Sequence, residues 1–117
     1  MRFSQLVKGT RATRDVDFTI WGATARCAVR PMTGLEEGDA MAAGRAYAVS
    51  KGIADPKPTD RVYEIGVMVH TLAVACIDPD NHDALYFGSA GEILDNLDTD
   101  RIAYLYEAQQ LFQDECS

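Results

Sequence analysis

The apolar positions of this chain begin at a period of two and then lengthen. In DVDFTIWG, Val16, Phe18 and Ile20 alternate with Asp17, Thr19 and Trp21, the pattern of a half-buried strand. A turn is expected at Gly22 and Ala23. TARCAVRPM then alternates again through Ala25, Cys27 and Val29, and Pro31 closes the pair because proline cannot continue a central ladder. These two runs predict an antiparallel β-hairpin over residues 15–31.

From there the spacing is helical. Thr33-Gly-Leu-Glu36 has the form of a capping box, in which a hydroxyl and a carboxylate satisfy free amides reciprocally. It predicts a helix over 33–52 that stops at Gly52. That helix has no heavy apolar stripe. Its small residues Ala42, Ala43, Gly44 and Ala46 suit close approach of another backbone, while Met41 and Tyr47 read as core or interface filler.

Pro56 and Pro58 break the chain in IADPKPTD, and Thr59 or Asp60 can cap the next helix. Val62, Ile65, Val69, Leu72 and Cys76 fall at three- and four-residue steps, predicting a central helix over 60–77 that is buried on most sides. Ser89-Ala-Gly-Glu92 repeats the capping pattern and opens a short helix over 89–97. Asp98 or Thr99 caps a last helix over 98–116. Ile102, Leu105, Ala108, Phe112 and Cys116 are its expected buried stripe, with Tyr104 and Leu111 on a more exposed flank.

The predicted fold class is therefore mainly α within α+β: an N-terminal β-hairpin followed by a small bundle of about four helices. It forms one domain over 15–117, preceded by a basic arm over 1–14.

Composition supports a single domain, since 117 residues with 47% hydrophobic content suffice for a modest core. Charge adds an asymmetry. Residues 1–31 hold six basic and two acidic side chains (+4), leaving five basic and sixteen acidic in the remainder (−11). A net −7 repels a phosphate backbone, so no nucleic-acid partner is expected. A basic arm carrying Arg11 and Arg14 on an acidic body favours head-to-tail self-association or docking on a charged partner. The longest apolar run, Ile65 to Ile77, is about two-thirds of a membrane span and includes His70, so no membrane insertion is expected. His70 reads as a core or interface histidine. Cys27, Cys76 and Cys116 lack CxxC spacing and are odd in number, and no secretory pattern opens the chain. Reduced thiols in a cytosol are expected.

The stretch ACIDPDNHDALYFG, residues 75–88, holds the densest chemistry. Asp78, Asp80 and His82 imitate the start of a calcium loop, but Asp83 stands where the turn needs glycine and Ser89 where a bidentate Glu is needed. Zinc needs about four placed ligands, and Cys76, His82 and His70 have no second pair. Cys76 lies toward a helix C-terminus, where the dipole disfavours a thiolate, and no oxyanion loop accompanies it. Asp95, Asp98 and Asp100 read as capping and solvating groups near helix ends. GxGxxG and GxxxxGK[ST] are absent. No enzyme, metal or cofactor is expected. Asp78 and Pro79 instead stop the central helix, and Leu85, Tyr86 and Phe87 pin the loop to the core or offer a contact.

The order VYEIGVMVHTLAVACIDPD, then ALYFGSAGEILDNLDTDRIAYLYEAQQLFQDECS, resembles the tail assembly chaperones of long-tailed bacteriophages. The N-terminal half agrees, with a strand pair ending in VRPMTGLEEGDAMAAGRAYA before a Pro-rich linker. The likeness covers most of residues 15–117 and rests on apolar spacing plus a loop signature. Its departures are the first fourteen residues and the inserted NHDALY.

The resemblance implies a non-enzymatic protein of virion morphogenesis that coats the helical tape measure protein, helps recruit tail tube subunits and leaves before the virion matures. It implies action in the cytoplasm of the bacterial host, and many family members are also made in a longer frameshifted form. Asp78, Pro79, Asp80, Phe87, Ile102, Leu105 and Phe112 match positions whose family role is mainly fold. Tyr104, Leu111 and the small-residue face with Ala42, Ala43 and Ala46 are the candidate partner surface, with Arg11 and Arg14 for self-association. The alternative is a structural minor tail or connector subunit retained in the particle.

Overall fold

The structure is a computed structural model that describes residues 12–116. The chain runs β1 (Arg14–Ile20), β2 (Ala23–Val29), α1 (Gly34–Ser50), α2 (Arg61–Ala75), β3 (Cys76–Asp78), β4 (Asn81–Leu85), α3 (Ala90–Asn96) and α4 (Thr99–Cys116). Among the described residues this is an α+β fold of four helices and one antiparallel sheet in the order β1-β2-β3-β4.

The N-terminal hairpin forms in register from Arg14↔Val29 to Ile20↔Ala23. Arg14, expected in the basic arm, therefore opens β1. The turn is Trp21-Gly22 rather than Gly22-Ala23, with φ of 50° and 78°. A two-residue connection with both φ positive matches the right-handed twist of the flanking strands. It leaves Trp21 81% exposed.

The larger correction concerns residues 76–88. The central helix ends at Ala75, and Cys76 adopts extended backbone at φ −99° and ψ 121°. Cys76 and Ile77 pair with Val29 and Ala28, so the expected loop is a second β-hairpin that extends the sheet to four strands. Pro79 favours extended backbone just before it, and the edge of β2 supplies partners that a local reading does not contain. Pro79-Asp80 makes the turn, with the Asp78 carboxylate accepting the Asp80 amide at 2.8 Å. Pairing then passes from Asp78↔Asn81 to Ile77↔Leu85, which leaves His82, Asp83 and Ala84 outside the regular ladder.

Alternation puts Val16 and Phe18 on one sheet face with Cys27, Val29 and Cys76. That face meets Leu72 of α2, Ile93 of α3, and Leu105 and Phe112 of α4. Phe87 is buried, and Tyr86 stacks edge-on between it and Phe18, so these aromatics do pin the second hairpin to the core.

Helix α2 packs against α1, α3 and α4. Its contact with α1 is a glycine crossing. A Cβ on Gly44 would lie 2.5 Å from Val67 Cγ2 and 2.8 Å from the Tyr63 carbonyl oxygen, and one on Gly66 would lie 2.8 Å from Gly44 Cα. The face of α1 turned to α2 is thus Ala40, Gly44 and Ala48, all buried. Ala42 and Ala46 are exposed and Ala43 half-buried, so of the four expected small contacts only Gly44 makes the close approach.

Local capping follows the sequence closely. Thr33 Oγ1 accepts the Glu36 amide at 3.3 Å, and the Glu36 carboxylate accepts the Thr33 amide at 3.0 Å. Asp98 caps α4 through the Arg101 amide at 2.8 Å. At α3, Ser89 accepts the Glu92 amide, but the Glu92 carboxylate reaches back to Gly88. Asp60 stands at the start of α2 without a side-chain cap, because its carboxylate accepts the Lys57 amide instead.

Glu36 also chelates Arg30, at 2.5 and 3.0 Å. This hydrogen-bonded guanidinium, helped by the Thr33 amide and opposed by partial burial, lowers the Glu36 carboxyl from 4.5 to about 2. A carboxyl lowered in the folded state stabilises above its unfolded value, and that contribution disappears as pH falls through the folded one. We therefore expect Glu36→Gln to remove about 1–2 kcal/mol of the stability difference between neutral pH and pH of about 2, after allowance for solvent screening. Urea unfolding across that window checks it, and identical pH slopes for the two proteins would contradict the pairing.

Candidate functional site

The acidic stretch brings no metal cage together. Cys76 is fully buried on β3 while His82 is exposed outside the ladder of β4, so the two face different surroundings. Among the described residues no group of three or more His, Cys, Asp or Glu side chains could hold a metal ion. Asp78 and Asn81 spend their side-chain oxygens on the amides of Asp80 and Asp83.

Cys27 and Cys76 form a hydrogen-bonded pair inside the sheet–helix core, both fully buried. The register Val29↔Cys76 places Cys27 diagonally across on the same sheet face. Their shared hydrogen bond lowers Cys27 and raises Cys76, while burial raises both. Cys27 is lowered overall, with burial and the carboxylates Asp15 and Asp17 opposing that shift. Enclosed in the core, the two side chains pack as small hydrophobes.

The surface is more informative. Tyr104 is 53% exposed and Leu111 55%, and a separation of seven residues puts them on one flank of α4, two turns apart. Tyr104 Oη donates to the Asp17 carbonyl at 3.2 Å, and Arg101 Nε donates to the Thr19 carbonyl at 3.2 Å. These are carbonyls of the outer strand β1, so α4 shields that sheet edge from unwanted pairing. The shallow groove between them, about 400 Å³, is walled by Asp17, Phe18, Thr19, Asp100, Arg101 and Tyr104.

Other positions of the expected partner surface fall elsewhere. Ala42 and Ala46 lie on the exposed side of α1, away from Tyr104 and Leu111 in the chain. Arg14 is occupied within the molecule: it pairs with Glu115 and stacks 4.7 Å over the Phe112 ring. Arg11 lies outside the described residues. No helix among the described residues is long and apolar enough to cross a membrane.

Helix α4 also carries a buried polar device that the sequence reading missed. Gln109, which lies outside the expected stripe, is fully buried, whereas Ala108 is half-buried and Cys116 exposed. Gln109 Nε2 donates to the Arg30 carbonyl and to Gln113 Oε1, both at 2.9 Å, and its Oε1 accepts Gln110 Nε2 at 2.6 Å. Gln113 in turn accepts the Met32 amide at 3.0 Å and donates to Glu37. Residues 30–32, where β2 turns into α1, are tied to α4 by this network. Its signal was available, since Ile102, Leu105, Gln109 and Phe112 follow the three- and four-residue steps of a helical stripe.

No model of a known protein family, no curated protein and no solved structure matches the chain.

Proposed function

We propose that this protein is a non-enzymatic chaperone of phage tail assembly, which holds amphipathic helices of a tape measure protein in solution until tail tube subunits enclose them. In this reading the four helices form a small bundle mounted on the sheet. The bundle works in the cytoplasm of the infected or lysogenic host, self-associates on its client and is absent from the finished virion. The sequence resemblance supplies the family. The observation that carries the role is the pair of large apolar side chains left in solvent on one flank of α4, Tyr104 and Leu111. Single exposed apolar residues are ordinary, but a client-binding surface requires them grouped on rigid elements.

The double variant Tyr104→Asp/Leu111→Asp tests this. Both sites are more than half exposed, so the variant is expected to fold despite losing the Tyr104–Asp17 hydrogen bond, which its unfolding midpoint checks. Its retention of tape measure fragments in a pull-down is expected to fall about tenfold, corresponding to roughly 1.4 kcal/mol. Undiminished binding by the folded variant contradicts the assignment of that flank. Mass spectrometry of purified virions separates the role from that of a retained tail subunit, which would be present in stoichiometric amount.

A further inference from the structure

A second surface, distinct from the Tyr104–Leu111 flank, lies between α1, α2 and α4. It is a largely apolar groove of about 590 Å³, walled by Met41, Tyr63, Val67, Met68 and Tyr106. At one end it continues into a smaller hollow of about 190 Å³ beside Met32, Ala40 and Thr71. Met41, Val67, Tyr106 and Gln110 are common to both parts.

Three features define the occupant. Met32, Met41 and Met68 are three of the four methionines in the chain, and unbranched thioethers repack around occupants of varied shape. Thr71 lines the inner end, 1% exposed, with a hydroxyl that has no hydrogen-bond partner. An unsatisfied buried hydroxyl is costly, and an occupant with a polar group at that depth relieves it. The rim carries three carboxylates: Glu64, which pairs with Arg61 at 3.3 Å, and Glu107 border the main groove, Glu37 borders the inner hollow, and no Lys or Arg among the described residues lines either part. The Tyr106 phenol between them is raised by burial first and then by the negative charges of Glu37 and Glu64.

Apart from Pro58 and Met32 the lining residues belong to helices, and none of the described residues that line it lies on a strand. An extended peptide laid there would leave its own amides unpaired, whereas a helix satisfies its backbone internally and needs only side-chain contacts. We propose that this groove docks an amphipathic helix of a partner protein whose apolar face enters the methionine-lined floor and whose polar face is basic. The inference goes beyond the chaperone reading and does not require that the partner be a tape measure protein.

The test uses the full chain with 13C-methyl-labelled methionine and synthetic helical peptides of about 18 residues, or five turns. One peptide carries Leu at i, i+3, i+4 and i+7 with Lys on the opposite face. A second keeps the apolar face and replaces each Lys by Glu, and a third scrambles the first. The Lys peptide is expected to bind about tenfold or more tightly than the Glu peptide, with the difference shrinking as salt screens the rim. Its binding should shift the methyl signals of Met32, Met41 and Met68 and leave Met1 in place. The variant Glu64→Lys/Glu107→Lys, altered only at exposed positions, should remove that preference while leaving the unfolding midpoint close to the parent value.

Equal affinity for the Lys and Glu peptides overturns the proposal, as does tight binding that leaves the three methyl signals unmoved. Concentration-dependent shifts of those signals in the protein alone also overturn it, because a second copy would then fill the groove. Failure of the Tyr104→Asp/Leu111→Asp pull-down with success here would retire the flank and leave the groove standing.

Discussion

Gly44→Val is expected to destabilise the protein by about 3 kcal/mol or more, a large part of the whole stability of a domain this size. The cause is steric and local to one crossing. A Cβ alone at this position already falls 2.5 Å from Val67 Cγ2 and 2.8 Å from the Tyr63 carbonyl oxygen. The second contact is with backbone, so no rotamer change removes it, and α1 must move off α2. That motion also separates Gly66, whose own missing side chain lets Gly44 Cα approach. The small gain in helix propensity over glycine, a few tenths of a kcal/mol, does not offset it.

Gly38 of the same helix provides the control, because a Cβ there meets nothing within 4 Å. Gly38→Ala is expected to stabilise by about 0.5–1 kcal/mol through reduced chain entropy in the unfolded state. Urea unfolding of the two variants should therefore move the midpoint in opposite directions. A Gly44→Val protein as stable as its parent would mean that α1 and α2 do not cross at these glycines.

Gln109→Glu is expected to cost about 3 kcal/mol at neutral pH, by burying a charge that has no cation beside it. The amide nitrogen now donates to the Arg30 carbonyl and to Gln113 Oε1. A carboxylate in its place would confront both oxygens with negative charge. The introduced carboxyl would be raised in the folded state, so its penalty is largest above the ordinary carboxyl range and shrinks as pH falls. This sign is opposite to that of Glu36, whose stabilising contribution is lost on acidification. Gln109→Leu, which removes the bonds without adding charge, should cost about 2 kcal/mol with no such pH dependence. Thermal unfolding at several pH values distinguishes the two variants, and equal losses at every pH would contradict the buried-charge account.

The parts of the fold legible in the sequence are those decided within a few residues. The first hairpin follows from the alternation of Val16, Phe18 and Ile20 with that of Ala25, Cys27 and Val29. The start of α1 follows from Thr33 and Glu36, and the start of α4 from Asp98, because a cap is a contact over three positions. The exposure of Tyr104 and Leu111 follows from their place off the apolar stripe of α4. Cys76 and Ile77 are not legible in this way, because they continue the helical spacing of Val69 and Leu72. Their extended conformation comes from Val29 and Ala28, remote in the chain.

The same division separates the two candidate surfaces. The Tyr104–Leu111 flank belongs to one helix and can be drawn from periodicity alone. The methionine groove cannot, since Met32, Met41 and Met68 come from three separate stretches and line adjoining hollows only when α1 crosses α2 and α4 closes the side.

By itself, then, the sequence determined the first hairpin, the approximate helices and the caps of α1, α3 and α4, all set by short-range geometry. Tertiary structure alone decided the four-stranded sheet, the burial of Gln109, the Gly44–Gly66 crossing and the groove. Each of these depends on backbone or side-chain partners that are distant in the chain and meet only when the elements pack.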